Sequence, residues 1–173
     1  MADINGLIPF VFKWEGGYVN DKDDKGGPTN MGVTIATWKA HGYDKNHDGV
    51  IDVKDLKLMT KQDAINILRR FWNKWRADEI KNQSIANILV DWFWGSGIDG
   101  IKVPQRILNV KQDGIVGPKT IKAVNDYNQK VLFDKIFKAR ELYFRTICQR
   151  DNTQYKYLGG WLRRLNSFKF QEK

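Results

Sequence analysis

The 173 residues suffice for one compact globular body, or for a small catalytic unit with an appended lobe that shares its core. Twenty-nine basic against twenty acidic residues give a net charge of +9, which favours an anionic partner. The basic residues are dispersed and never interleaved with aromatics as in RNA- or DNA-binding modules, so nucleic acid is not expected. The lone Cys148 excludes an intramolecular disulfide framework, and no apolar run is long enough to span a bilayer, so no integral membrane contact is expected.

Ile4, Leu7, Ile8, Val11 and Trp14 recur at helical spacing, which predicts a first helix ending near Glu15, where Gly16 and Gly17 supply the stop. Residues 18–34 are polar and broken by Gly26, Gly27 and Pro28, so they read as a loop or a short hairpin. A short helix over 35–41 should close at Gly42. Thr60 with Asp63 resembles a capping box, after which Ala64, Leu68, Phe71, Trp72 and Trp75 mark one apolar face. Ser84 is expected to cap a central helix carrying Ile85, Ile88, Leu89, Trp92 and Phe93, which ends at Gly95, Ser96 and Gly97.

Further on, 103–110 predicts a short helix, 113–118 a turn and 119–127 another short helix. The longest helix is expected over 128–150, and a final apolar segment, with Trp161, Leu162, Leu165 and Phe168, follows Gly159 and Gly160. The fold class is therefore all-α, mainly helical, with room for one short hairpin.

Glu15 stands at the expected end of a helix, between Trp14 and a glycine pair that admits close neighbours. The negative end of the helix dipole and apolar burial both disfavour an ionised carboxyl, the shift that a general acid near neutral pH requires. Asp21, Asp23 and Asp24 follow within nine residues, and a return segment can set one of them across a cleft from Glu15, with Thr29 and Thr34 available to hold water. On their own these residues fit an ordinary charged turn better than a site.

Order and company change that reading. The run of Glu15, Gly16, Gly17, Tyr18, Asp24, Gly26, Gly27, Thr29, Gly32 and Thr34 resembles the signature of glycoside hydrolase family 108. Asn109, Val110, Asp113, Gly114, Gly117, Pro118, Thr120 and Ala123 resemble the peptidoglycan-binding region that accompanies that catalytic unit. The family consists of N-acetylmuramidases of phages, prophages and bacteria with a lysozyme-like helical fold, and its catalytic glutamate falls at Glu15. The resemblance implies a catalytic region over 1–97 and a binding region over 98–173, packed into one globule. It also implies cleavage between N-acetylmuramic acid and N-acetylglucosamine of bacterial peptidoglycan, by a monomer needing no cofactor for catalysis. Residues 1–10 lack the features of a signal peptide, so release to the wall through a holin or a dedicated secretion route is expected.

The spacing of Glu15, Asp24 and Thr29 also resembles the Glu, Asp, Thr arrangement of phage-type lysozymes, one residue tighter between Asp24 and Thr29, so Thr34 is a rival to Thr29. Tyr18 and Thr34 are the expected substrate contacts. A silent wall-binding or secretion-assisting protein would keep the lobe and the charge but has no use for Glu15.

A second pattern falls at 44–55. Asp44, Asn46, Asp48, Val50 through its carbonyl, Asp52 and Asp55 occupy the ligand positions of an EF-hand-type loop, with Gly49 at the sharp turn. Asp55 stands where glutamate is usual, as in loops of the dockerin type. A structural Ca²⁺ ion that pins the lobe is the expected occupant.

Overall fold

Helical periodicity governs most of the chain: nine α-helices and one two-stranded sheet make up the computed structural model, which describes residues 1–173. The mainly helical class is as the sequence implies. The chain divides into a smaller unit, Ile8–Arg70, and a larger one of Met1–Leu7 with Phe71–Lys173.

The smaller unit opens with α1 (Ile8–Trp14), shorter than the apolar spacing predicts. Pro9 lies in its first turn, where a missing amide proton costs nothing. A two-stranded antiparallel hairpin follows, β1 (Thr29–Asn30) with β2 (Val33–Thr34), Thr29 facing Thr34 and Asn30 facing Val33. Its two turn residues, Met31 and Gly32, both have positive φ, as tight hairpin turns require. Thr34 then caps α2 (Ile35–His41), accepting the Thr37 N–H at 3.2 Å. Gly42 ends α2 as expected, because a Cβ there would fall 2.3 Å from the Trp38 indole.

The helix α3 (Val53–Leu58) was not marked by apolar spacing; it is set by a capping box of Asp52 and Asp55. A buried Asn30 amide donates to the Leu56 carbonyl at 2.8 Å and so ties β1 to α3. The next helix, α4 (Lys61–Lys74), begins with the expected cap: Asp63 N–H donates to Thr60 Oγ1 at 3.2 Å and Thr60 N–H to Asp63 Oδ2 at 2.8 Å. Asp63 also accepts from Tyr43 Oη at 3.0 Å and Lys45 Nζ at 2.7 Å. Burial works against its charge, but these donors outweigh burial and hold its carboxyl down at about 2.

In the larger unit the expected first turns of α1 are a separate 3-10 turn, Ile4–Gly6, capped by Asp3. It is held there by Ala2 N–H donating to the Ile80 carbonyl and Asp3 N–H to Gln83 Oε1, both at 2.8 Å. The central helix α5 (Gln83–Ser96) buries most of its residues and packs on α6 (Asp99–Ile107) and α8 (Gln129–Arg150). Its cap is Asn82, not the expected Ser84. Asn82 Oδ1 accepts the Ser84 and Ile85 N–H groups at 2.8 and 3.1 Å, and Ser84 Oγ accepts the Gln171 N–H of the C-terminal tail at 3.0 Å.

The start of α6 lies four residues before the expected one, and Gly100 in its first turn is a contact point between helices. A Cβ at Gly100 would sit 2.4 Å from the Phe93 backbone nitrogen, so glycine lets α6 lie against α5. Pro118 opens α7 (Pro118–Asp126) at the position proline favours, and Asn128 caps α8 by accepting the Val131 N–H at 3.0 Å. The last helix, α9 (Tyr155–Ser167), runs straight through Gly159 and Gly160 rather than starting after them. Trp161 stacks on Tyr157 at 5.9 Å and meets Phe144 of α8 at 5.2 Å, and such contacts offset a helical glycine cost of ~1 kcal/mol each.

Candidate active site

Glu15 follows α1 directly, and its N–H still donates to the Val11 carbonyl at 3.2 Å, so its side chain leaves from the helix C-terminal end. The carboxyl group lies on the hairpin turn. A Cβ built on Gly32 would stand 2.4 Å from Glu15 Cδ and 2.6 and 2.7 Å from its two oxygens. Gly32 has φ +79°, so glycine is required both by backbone conformation and by the carboxyl pressed against it. Met31 N–H donates to the Gly16 carbonyl at 3.2 Å, which fixes the turn to the segment just after Glu15.

The aspartate run folds as a set of tight turns. Asp21 Oδ1 accepts the Asp23 N–H at 3.0 Å, and Asp24 Oδ1 accepts the Gly26 N–H at 2.8 Å, the local bonding that short acidic side chains favour. Gly26 carries these turns against the hairpin: a Cβ there would lie 3.1 Å from Thr34 Cγ2 and 3.2 Å from Asp24 Oδ1. Glu15 and Asp24 therefore meet the same hairpin, one at its turn and the other at the Thr34 end.

The two threonines differ. Thr34 Oγ1 accepts the Thr37 N–H at 3.2 Å and bonds Thr37 Oγ1 at 3.1 Å, so its hydroxyl is spent on capping α2. Thr29 is held by its backbone, exchanging 2.8 Å hydrogen bonds with Val19, and its hydroxyl has no partner within the chain. Tyr18 is exposed, with Lys57 Nζ 4.9 Å from its ring centroid. That lysine is not legible as a neighbour in the sequence, since nothing in the 38 intervening residues marks it.

In the loop at 44–55, Asp44 accepts the N–H groups of Asp48 at 3.2 Å and Gly49 at 2.8 Å, Asn46 Oδ1 accepts that of Asp48 at 3.1 Å, and Asp48 Oδ1 that of Val50 at 3.0 Å. His47 and Gly49 take positive φ, 59° and 86°. Asp55 is fully buried and ties the loop ends, accepting from the N–H groups of Lys45, Asn46 and Asp52 at 2.7, 3.1 and 2.9 Å. No three Asp, Glu, His or Cys side chains converge to hold a metal by themselves, so a cation here needs the neutral oxygens of Asn46 and Val50 as well. That mixed oxygen set suits a hard cation with flexible coordination.

A family model described as Glycosyl hydrolase 108 matches residues 8–97, and one described as Predicted Peptidoglycan domain matches residues 99–166. No curated protein matches the chain. Among solved structures the chain is similar to the one titled "Structure of Brucella abortus SagA", with 28% identity and a TM-score of 0.74 over 98% of this chain and 97% of that chain.

Proposed function

The chain belongs to the glycosyl hydrolase 108 family and is a peptidoglycan hydrolase acting on the bacterial cell wall, and from that premise we propose that it is an N-acetylmuramidase with Glu15 as general acid. The observation that carries this reading is the Glu15 carboxyl packed on Gly32 at a helix end, where the backbone of the hairpin turn helps to fix one carboxyl in position.

In the proposed reaction Glu15 gives its proton to the bridging oxygen as the bond from that oxygen to C1 of N-acetylmuramic acid breaks. A water held by Asp24 and the uncommitted Thr29 hydroxyl attacks C1 from the opposite face and passes its proton to Asp24. The product has inverted configuration, and proton exchange with solvent restores both carboxyl groups. Tyr18, exposed beside Lys57, offers a ring for sugar stacking, and Thr34 contributes through its backbone and methyl group.

Reduction of digested walls with borohydride, followed by acid hydrolysis, tests the bond assignment. Reduced muramic acid at the new ends is expected; reduced glucosamine there sinks the muramidase reading.

Replacement of Gly32 by alanine should damage both the scaffold and the chemistry. The added methyl overlaps the Glu15 carboxyl, and positive φ for a residue with a Cβ costs ~1 kcal/mol or more. Wall lysis is expected to fall at least tenfold, with a lower urea midpoint. A variant as active and as stable as the native protein would refute the contact.

We propose in addition that the loop at 44–55 takes a structural Ca²⁺ ion, held by Asp44, Asn46, Asp48, the Val50 carbonyl, Asp52 and Asp55. Its support is the oxygen set and the positive φ at Gly49, the sharp turn of such loops. The ion would supply charge to neutralise clustered carboxylates and no step of the reaction. Calcium should raise the melting temperature of chelator-treated protein, by ~2.7 kcal/mol of stability at a hundredfold excess over Kd, and magnesium should do less. An identical melting curve with calcium and with chelator rules the site out.

A further inference from the structure

Lys57 is an exposed cation on α3 whose ammonium has no ion pair or hydrogen bond within the chain, only the Tyr18 ring 4.9 Å away. Two other lysines of the smaller unit are already neutralised: Lys45 holds Asp63 at 2.7 Å and Lys54 holds Asp48 at 3.4 Å. A ring face attracts an ammonium through its quadrupole alone. At an exposed site that attraction is modest, and the charge stays available to an incoming anion.

Hydrogen bonds that converge on the hairpin set where this cation stands. The Asn30 amide on β1 donates to the carbonyl of Leu56, the residue before Lys57, at 2.8 Å. Tyr18 precedes Val19, which exchanges 2.8 Å bonds with Thr29, the neighbour of Asn30 on β1. Adjacent residues of one strand therefore place the ring and the ammonium side by side. The same hairpin carries Gly32, against which the Glu15 carboxyl rests, and its Met31 N–H donates to the Gly16 carbonyl, between Glu15 and Tyr18 in the chain. Proton donor, ring and cation are anchored to one hairpin, and the Asp52 and Asp55 capping box fixes the start of the helix that bears Lys57.

We propose that Lys57 pairs with a carboxylate carried by the muramic acid unit that lies against Tyr18, an inference that rests on Tyr18 being a substrate contact. Muramic acid differs from glucosamine by a lactyl ether. Its carboxyl group is free in bare glycan and amide-linked in intact wall to a stem peptide, which presents free carboxylates of its own. Either source supplies an anion that glucosamine lacks. A sugar against the Tyr18 ring and an anion on the ammonium beside it engage both groups together. Because the strand offers that anion only at every second sugar, the pair sets the register in which a glycosidic bond reaches Glu15.

Calorimetric titration of the uncleaving Glu15→Gln protein with short glycan fragments that keep their stem peptides tests the contact. Adding Lys57→Met should weaken binding roughly tenfold, the worth of one charged hydrogen bond, at an unchanged melting temperature, and Lys57→Arg should restore it. Fragments whose carboxyl groups have been converted to amides should bind the Lys57 protein roughly tenfold more weakly, and Lys57→Met should make no further difference to them. Lys39→Met, the same loss of charge at an exposed position on α2, should keep full affinity. Native-like binding by Lys57→Met, an equal loss on ordinary and amidated fragments, or an equal loss from Lys39→Met each overturns the proposal. Fragments stripped of their stem peptides name the source: dependence on Lys57 that persists assigns the lactyl carboxylate, and dependence that disappears assigns the peptide. Wall lysis by the native protein is read separately. Lysis without an effect of Lys57 on binding sinks this contact alone, and Lys57-dependent binding without lysis sinks the proposed mechanism alone.

Discussion

Glu15→Gln is expected to lower the rate of wall lysis by roughly 10²- to 10⁴-fold, the usual contribution of a positioned proton donor. The amide keeps the length and shape of the carboxyl group, so its packing on Gly32 and the hairpin is retained and the melting temperature should not change. What it lacks is an acidic proton for the leaving oxygen. Glu15→Asp separates chemistry from position: it keeps the acid but draws it back by one methylene from the turn. Both variants should bind wall fragments, because the basic surface that attracts them is untouched. Turbidity of purified walls against enzyme concentration reads the effect. Lysis by Glu15→Gln within a few-fold of the native rate would mean that another group delivers the proton. Asp24→Asn distinguishes the second role, since loss of the water-activating carboxylate should be as damaging in an inverting course.

Helices with a single apolar face were legible from spacing alone. Those expected over 35–41 and 128–150 match α2 and α8 closely, because their cap and stop residues, Thr34, Gly42 and Asn128, act through bonds local to the helix end. The misreadings share one cause: a glycine or serine whose role is set by a distant partner. The early start of α6 is not legible until Phe93 is seen against Gly100, and Ser84 reads as a cap until the Gln171 amide claims its hydroxyl. Gly159 and Gly160 read as the boundary before a final apolar segment because propensity cannot show that Trp161 has Phe144 to pack on.

The site follows the same rule. Glu15 and Asp24 are conspicuous in sequence as carboxylates among glycines, yet the sequence gives no sign that Gly32 is where the Glu15 carboxyl rests. Nor does it tell Thr29 from Thr34. Only the α2 cap shows that one hydroxyl is committed and the other is not.

Asp91→Asn should be the most destabilising of these changes, costing ~3–5 kcal/mol, because removing one partner of a buried ion pair leaves the other charge uncompensated. Here it leaves two. Asp91 sits on α5 and its partners on α8 and α9, so the carboxylate clamps three helices at one point. Exposed pairs such as Lys130 with Asp134 should each contribute under ~1 kcal/mol by contrast. Burial works against the Asp91 charge, but Arg164 and then Arg140 outweigh it and hold the carboxyl below its ordinary value. A carboxyl lowered in the folded state stabilises above the unfolded value of about 4 and loses that contribution as pH falls through the folded one. Native protein should therefore show an acid limb in urea stability below about pH 4 that Asp91→Asn lacks. A loss under ~1 kcal/mol with the acid limb intact would mean that Phe144 and Phe168 stabilise the Arg140 cation well enough without a counter-charge.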